Sequence, residues 1–288
     1  MFSLESIDDG LRLEWDGQPV LQYNFSKGGN RPFVHPFRLP DSPELTTDRA
    51  TVVPVDHLHH QGLWVGWKKV NGVNFWEQPQ EGADPAGYGR ILHQKVVSQD
   101  AGDDQARFTT QNSWTDWTDV QHLTETRETT VRAPQDGVMV VDFRTELAPH
   151  ERDVTLDLLR GEPGGPGLFY SGVAIRYNDA MSPGEFLDAD GRSDVDEIFG
   201  STSRWCGCSG RHSQDGQVYG ITVIDHPENP RYPTSWWLRN RKDFCLVQPS
   251  PSYHEPFELS PGEPLTLQYR IVVHRGPVSP NVIEEAAW

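Results

Sequence analysis

No window in these 288 residues approaches the roughly 18 consecutive apolar positions that a membrane-spanning helix needs, so no membrane span is expected. Positive charge is short as well. The chain has 25 Lys and Arg against 42 Asp and Glu, a formal net charge of −17. Such a surface repels phosphate backbones and anionic lipid, so neither a nucleic-acid nor a membrane partner is expected. Cysteine is rare, and an odd count of three does not make a disulfide framework. Cys206 and Cys208 are too few for a structural zinc site and too close for an easy disulfide, which points to a reducing, cytoplasmic setting. The first ten residues have no basic segment followed by an apolar run, so no secretory signal is expected there. Also missing are a Gly-x-Gly-x-x-Gly turn after a strand, a Walker loop, a Gly-x-Ser-x-Gly elbow and a His-Glu-x-x-His helix. Their absence disfavours dinucleotide, nucleoside-triphosphate and common serine-hydrolase chemistry, and no nucleotide cofactor is expected.

Helical periodicity is scarce, whereas 26 Gly and 23 Pro break the chain into short runs that alternate apolar with polar residues. Leu4–Trp15 reads as a hairpin around Asp8-Asp9-Gly10, and Val20–Phe25 as a further strand. Pro32 and Pro36 keep Arg31–Phe37 extended. Residues 91–98, 105–113, 121–131, 138–147 and 154–159 form an expected antiparallel meander. Within it Glu125, Arg127 and Thr129 share one face, and Thr124, Thr126 and Glu128 the other. Further strands are expected at 168–177, 217–225, 243–247 and 265–274, and one helix at 281–288 with Asn281 as its cap. A dozen or more strands with almost no helix predict an all-β fold, a large antiparallel β-sandwich or barrel, as one domain over residues 1–288. Ten Trp, twelve Phe and eight Tyr supply the core that a modest 35% apolar content alone would not.

Chemistry concentrates between Val55 and Trp67, thirteen residues that hold three of the 11 histidines, Asp56 and two tryptophans. Read as a strand, this stretch points His57 and His59 to one side, and Asp56, Leu58 and His60 to the other. A His-x-His pair can grip a divalent metal, with a third ligand from Glu125, His226 or His254. It can equally place a general base, because imidazole titrates near neutral pH. Both readings stand against the plain one, histidines bonded to backbone in a strand and its turn.

Weaker candidates surround that block. Lys27, before Gly28-Gly29, could offer a cation to an anionic or keto oxygen, or sit in a solvated turn. His35, between Val34 and Pro36, reads first as structural. Asn71-Gly72 beside Phe75-Trp76-Glu77 is either a hairpin turn with a core tryptophan or a sugar-stacking platform. Arg204-Trp205 in a Gly/Ser-rich loop suits a polyhydroxylated ligand or closes a sheet edge. Asp225-His226-Pro227 ends a clear strand, with Trp236-Trp237-Leu238-Arg239 soon after.

These blocks together resemble a known family. Lys27…Arg31-Pro32-Phe33…Pro36, Asp56-His57-x-His59-His60-x-Gly62-Leu63-Trp64 and Val70-Asn71-Gly72-x-x-Phe75-Trp76 are similar to the bacterial proteins grouped as PmoA-related, or "methane oxygenase PmoA". So are Ser203-Arg204-Trp205, Asp225-His226-Pro227-x-Asn229-Pro230-Arg231-x-Pro233 and Tyr269-Arg270. Leu58 and Gln61 depart from that pattern, which has Pro and Arg there. Membrane methane oxygenases need several transmembrane helices, so their chemistry does not carry over. The resemblance implies a soluble β-sandwich similar to galactose-mutarotase-like sugar enzymes, with a carbohydrate as partner.

The expected activity is acid–base chemistry on a sugar or keto-glycoside, of lyase, hydrolase or epimerase type. His59 or His60 moves the proton, Asp56 orients the imidazole and His226 is the opposite acid or base. Trp64, Trp76, Trp205 and Arg204 hold the substrate, with Lys27, His35, Asn71 and Trp236 as further contacts. A divalent metal on His57 and His59 would polarise a carbonyl oxygen to the same end. A non-catalytic carbohydrate-binding protein and a cupin-like metal oxygenase are the alternatives.

Overall fold

A computed structural model describes residues 1–25, 29–52, 57–80, 82–159 and 167–288. Two eight-stranded antiparallel sheets make up the body. In spatial order the first sheet contains Phe2–Ile7, Gly10–Trp15, Gln18–Asn24, Phe33–Phe37, Leu63–Trp67, Ser171–Arg176, Phe244–Pro249 and Trp236–Arg241. The second contains Glu185–Asp188, Trp205–Arg211, Val218–Asp225, Leu265–Arg275, Val138–Pro149, Gln121–Arg132, Gln105–Asp116 and Gly89–Ala101. A small third sheet joins Phe257–Leu259, Val154–Asp157 and Lys69–Val70. The fold is all-β, a large antiparallel sandwich. Among the described residues no helix is long and apolar enough to cross a membrane.

The meander forms as alternation predicts. Glu125, Arg127 and Thr129 face inward and are buried, while Thr124, Thr126 and Glu128 face outward. The run after it differs. Val154–Asp157 leaves the meander and pairs with Phe257–Leu259 and Lys69–Val70 in the small sheet. The C-terminal helix spans Pro280–Ala286, so its cap is Ser279 rather than Asn281, because proline favours the first helical turn.

Strands that the alternation pattern does not mark include Leu63–Trp67, Trp205–Arg211 and Trp236–Arg241. The first is buried at every position, so it has no polar face for a period of two to show. Its inward residues, Leu63, Val65 and Trp67, join the main core between the sheets. Its outward Trp64 joins Phe33, Trp76, Ala174, Trp237 and Leu246 in a second apolar cluster on the other side of the first sheet. That second cluster is the floor of the candidate site.

Candidate functional site: a three-histidine pocket

The expected strand over the histidines does not form. His57 adopts a left-handed backbone with φ 45°, and the amide of His60 donates to the carbonyl of His57 at 2.7 Å, closing a tight turn. Gly62 completes it at φ 58°, where a Cβ would lie 2.0 Å from the Val34 carbonyl oxygen. Only glycine fits both demands. The strand begins one residue later, at Leu63. A turn brings residues three apart together, so His57 and His60 stack at 4.8 Å with planes 15° apart. His59 meets His60 edge-on at 4.4 Å. The split into two faces is therefore overturned: all three rings line one cavity.

That cavity measures about 550 Å³ and opens on the outer side of the first sheet. Tyr170, Trp237 and Phe244 give it aromatic walls, Glu77 a carboxylate, and Arg239, Arg241 and Lys242 a cationic rim. Behind His60 the rings continue, with Trp64 stacked on it at 5.3 Å and Trp76 stacked on Tyr170 at 5.0 Å. Trp64, Trp76 and Trp237 are buried, so they back the wall and leave the open aromatic surface to the half-buried Tyr170 and Phe244.

Polar partners set the histidines apart. Nη1 of Arg176 donates to Nδ1 of His60 at 3.1 Å, and Nη2 of Arg176 donates to Asp179 Oδ1 at 3.0 Å. Burial pushes the pKa of His60 well below the usual imidazole value, and the nearby His59 and Arg176 add to the shift. Burial does the same for His59, with Arg31 the first charge acting on it. Both are therefore neutral at pH 7. Because a guanidinium only donates, Nδ1 of His60 must accept, and its proton sits on Nε2. Glu77 accepts from the Lys68 ammonium and the Asn74 amide, which fix its position at the pocket wall.

The other candidates among the described residues lie elsewhere. Lys27 and Asp56 are outside the described residues. His35 bonds Thr46 Oγ1 at 3.0 Å beside Glu44. Asn71 fastens its turn to the small sheet through the carbonyl of Asp153 and the amide of Thr155. Arg204 and Trp205 both donate to Glu284, tying the C-terminal helix to the second sheet. Trp236 is buried in the main core, with Nε1 on the Ser203 carbonyl at 2.9 Å. His226 follows a strand of the second sheet, its ring centroid 4.3 Å from that of Trp288. None of the described ones lines the pocket. Reading the sequence missed Tyr170, Arg176, Arg241 and Phe244 altogether. The alternation of Trp237, Arg239 and Arg241 was the one pattern that could have pointed to a cationic wall.

The donor set among the described residues does not fit a metal. Among the described residues no group of three or more His, Cys, Asp or Glu is arranged to hold one. Nδ1 of His60 is occupied by a guanidinium. Of the third ligands considered, Glu125 is bonded to Arg127, His254 to Ser235, and His226 packs on Trp288.

A sequence profile described as a family of unknown function, DUF6807, matches residues 10–288. The chain belongs to that family. No curated protein matches it. Solved structures that it is similar to include the heparan sulfate lyase HepC from Pedobacter heparinus, at 8% identity and a TM-score of 0.39. That match covers 90% of this chain but only 36% of the lyase, so the DUF6807 chain spans about a third of the lyase's length. A putative mutarotase (YeaD) from Salmonella typhimurium is similar at 12% identity and a TM-score of 0.37, covering 96% of this chain and 94% of that one. Likenesses this distant carry no argument about activity.

Proposed function

We propose that this DUF6807 protein is a carbohydrate-active enzyme that moves a proton at a carbon beside a carbonyl or at an anomeric centre. The convergence of two neutral histidines with different hydrogen-bonding on one aromatic-walled pocket carries this reading. The half-buried Tyr170 offers a face on which a sugar ring can stack, and the buried Trp237 backs it. His59 is less enclosed than His60 and uncharged, as a general base must be before it acts. His60 presents Nε2–H, a donor for the oxygen on which charge develops, and Arg176 prevents it from switching tautomer. Glu77, near enough to line the same cavity, can accept from a sugar hydroxyl.

The block Asp56-His57-x-His59-His60-x-Gly62, on which the resemblance to PmoA-related proteins rests, supplies the histidines of this pocket and so supports the same reading. A cytoplasmic location agrees with three free, buried cysteines. The test is deuterium exchange. In D2O, wild-type protein given a panel of aldoses and keto-glycosides should wash label into one C–H or interconvert anomers, followed by NMR. His59→Ala should lower that rate at least about a hundredfold, in keeping with the loss of a general base. Full turnover in both His59→Ala and His60→Ala variants rules the assignment out. If Trp237→Ala abolishes sugar binding while no exchange is ever seen, the protein is a binding module instead.

A further inference from the structure

We infer that the pocket is built for an anionic sugar, whose acidic group is held by Arg239 and Arg241. This rests on the sugar reading above. The edge strand Trp236–Arg241 divides its residues by face. Trp236 and Leu238 are fully buried in the main core, which turns Trp237, Arg239 and Arg241 to the opposite side, where all three line the pocket. The guanidinium of Arg239 lies over the Trp237 ring, 4.8 Å from its centroid. Stacking of that kind restrains the planar fork while leaving its edge free for a ligand.

Ion pairing leaves the cations of this wall available to a ligand. Lys68, Arg127, Arg192 and Arg270 each pair with a carboxylate. Among the described residues no carboxylate lies within ion-pair distance of Arg239, Arg241 or Lys242. Of the two acids lining the cavity, Glu77 is already bonded to Lys68, and the other is Asp243. A further cation stands behind the histidines. Arg31 is only 1% exposed, gives Nη2 to the Trp76 carbonyl, and has no partner for Nε and Nη1 among the described residues. Its field reaches both His59 and Glu77. A chain of net charge −17 thus carries a locally positive pocket. Paired guanidinium donors match the two oxygens of a carboxylate, or those of a sulfate or phosphate ester, better than a lone hydroxyl.

Calorimetric titration tests this with D-glucuronate, D-galacturonate, D-glucose 6-sulfate and D-glucose 6-phosphate against D-glucose and D-galactose, at low and high salt. At least one anionic sugar should bind about tenfold or more tightly than its neutral parent, and high salt should erase most of the gap. Arg239→Gln and Arg241→Gln should each weaken that ligand roughly ten- to hundredfold and bring it close to its neutral parent. Whether the uronates or the esters respond identifies the acidic group. Equal affinity for neutral and anionic sugars, with Trp237→Ala abolishing both, overturns this inference and leaves the sugar reading standing. Binding by no member of the panel overturns both.

Discussion

Arg176 and His60 meet at 3.1 Å, guanidinium to imidazole, both buried on the outer side of the first sheet. A cation beside a histidine ordinarily looks like a conflict. Here it is resolved by keeping the imidazole neutral, which lets Nδ1 accept and places the proton on Nε2. Asp179 closes the arrangement by pairing with Arg176 and with Arg49, so the positive charge is balanced away from the histidine. The tautomer of the candidate donor is therefore set by an ion pair, and that pair can be tested alone.

Arg176→Met should cost about 2 kcal/mol of stability, because it removes one of the two guanidiniums on Asp179 and leaves Nδ1 of His60 without a donor. Urea unfolding reads the loss. The nitrogen chemical shifts of His60 read the second consequence, a mixture of tautomers in place of Nε2–H alone. A variant that is destabilised but keeps the single tautomer would show that Arg176 does not orient His60.

Acid should weaken the fold, and the sign follows from the histidines. Burial lowers the pKa of His59 and His60 well below 6.5 and that of His274 to about 4. Between pH 6.5 and about 4 the unfolded chain takes up protons that the folded one refuses, so stability falls as pH falls through that window. His274 alone accounts for about 3 kcal/mol across it. Asp225 works in the opposite sense, since burial raises its pKa to about 6 and its contribution grows as pH drops. Several buried histidines outweigh one aspartate. Melting temperature should fall steadily from pH 7 to pH 4.5, and a flat profile would contradict the burial of these rings.

Glu284 clamps the C-terminal helix through Arg204 Nη2 and Trp205 Nε1, both at 2.9 Å. Glu284→Ala should cost about 1–2 kcal/mol, since the buried indole N–H loses its acceptor. Ligand affinity in the pocket should not change. If the same substitution weakens sugar binding, Arg204 and Trp205 belong to a site after all.

How much of this was legible beforehand depends on what each residue faces. The Gln121–Arg132 strand alternates buried with half-exposed, so composition alone showed its period and its inward Glu125, Arg127 and Thr129. Leu63–Trp67 is covered on both sides, and nothing in its composition separates the core face from the site face. The histidines were visible as chemistry but not as geometry. A positive φ at His57 turns a chain that a strand pattern would have kept straight. Arg204 and Trp205 look like ligand-binding residues in sequence because their partner, Glu284, lies eighty residues away. Tyr170 and Phe244 carried no local signal at all, since they reach the pocket only through the pairing of distant strands.

The three cysteines offer a check on the packing of the two sheets against each other. Cys208 belongs to the second sheet and Cys245 to the first, and their sulfurs lie 3.3 Å apart inside the core. Burial pushes the thiols of Cys206 and Cys208 well above their ordinary pKa, so little thiolate forms near pH 8. All three are fully enclosed. Ellman's reagent should therefore find almost no thiol in the native protein and three per chain in denaturant. The rate of native labelling should track global unfolding, rising with urea as the fraction unfolded rises. Fast labelling of even one cysteine in native buffer would mean that the sheets part locally, and that Cys208 and Cys245 do not share a closed core.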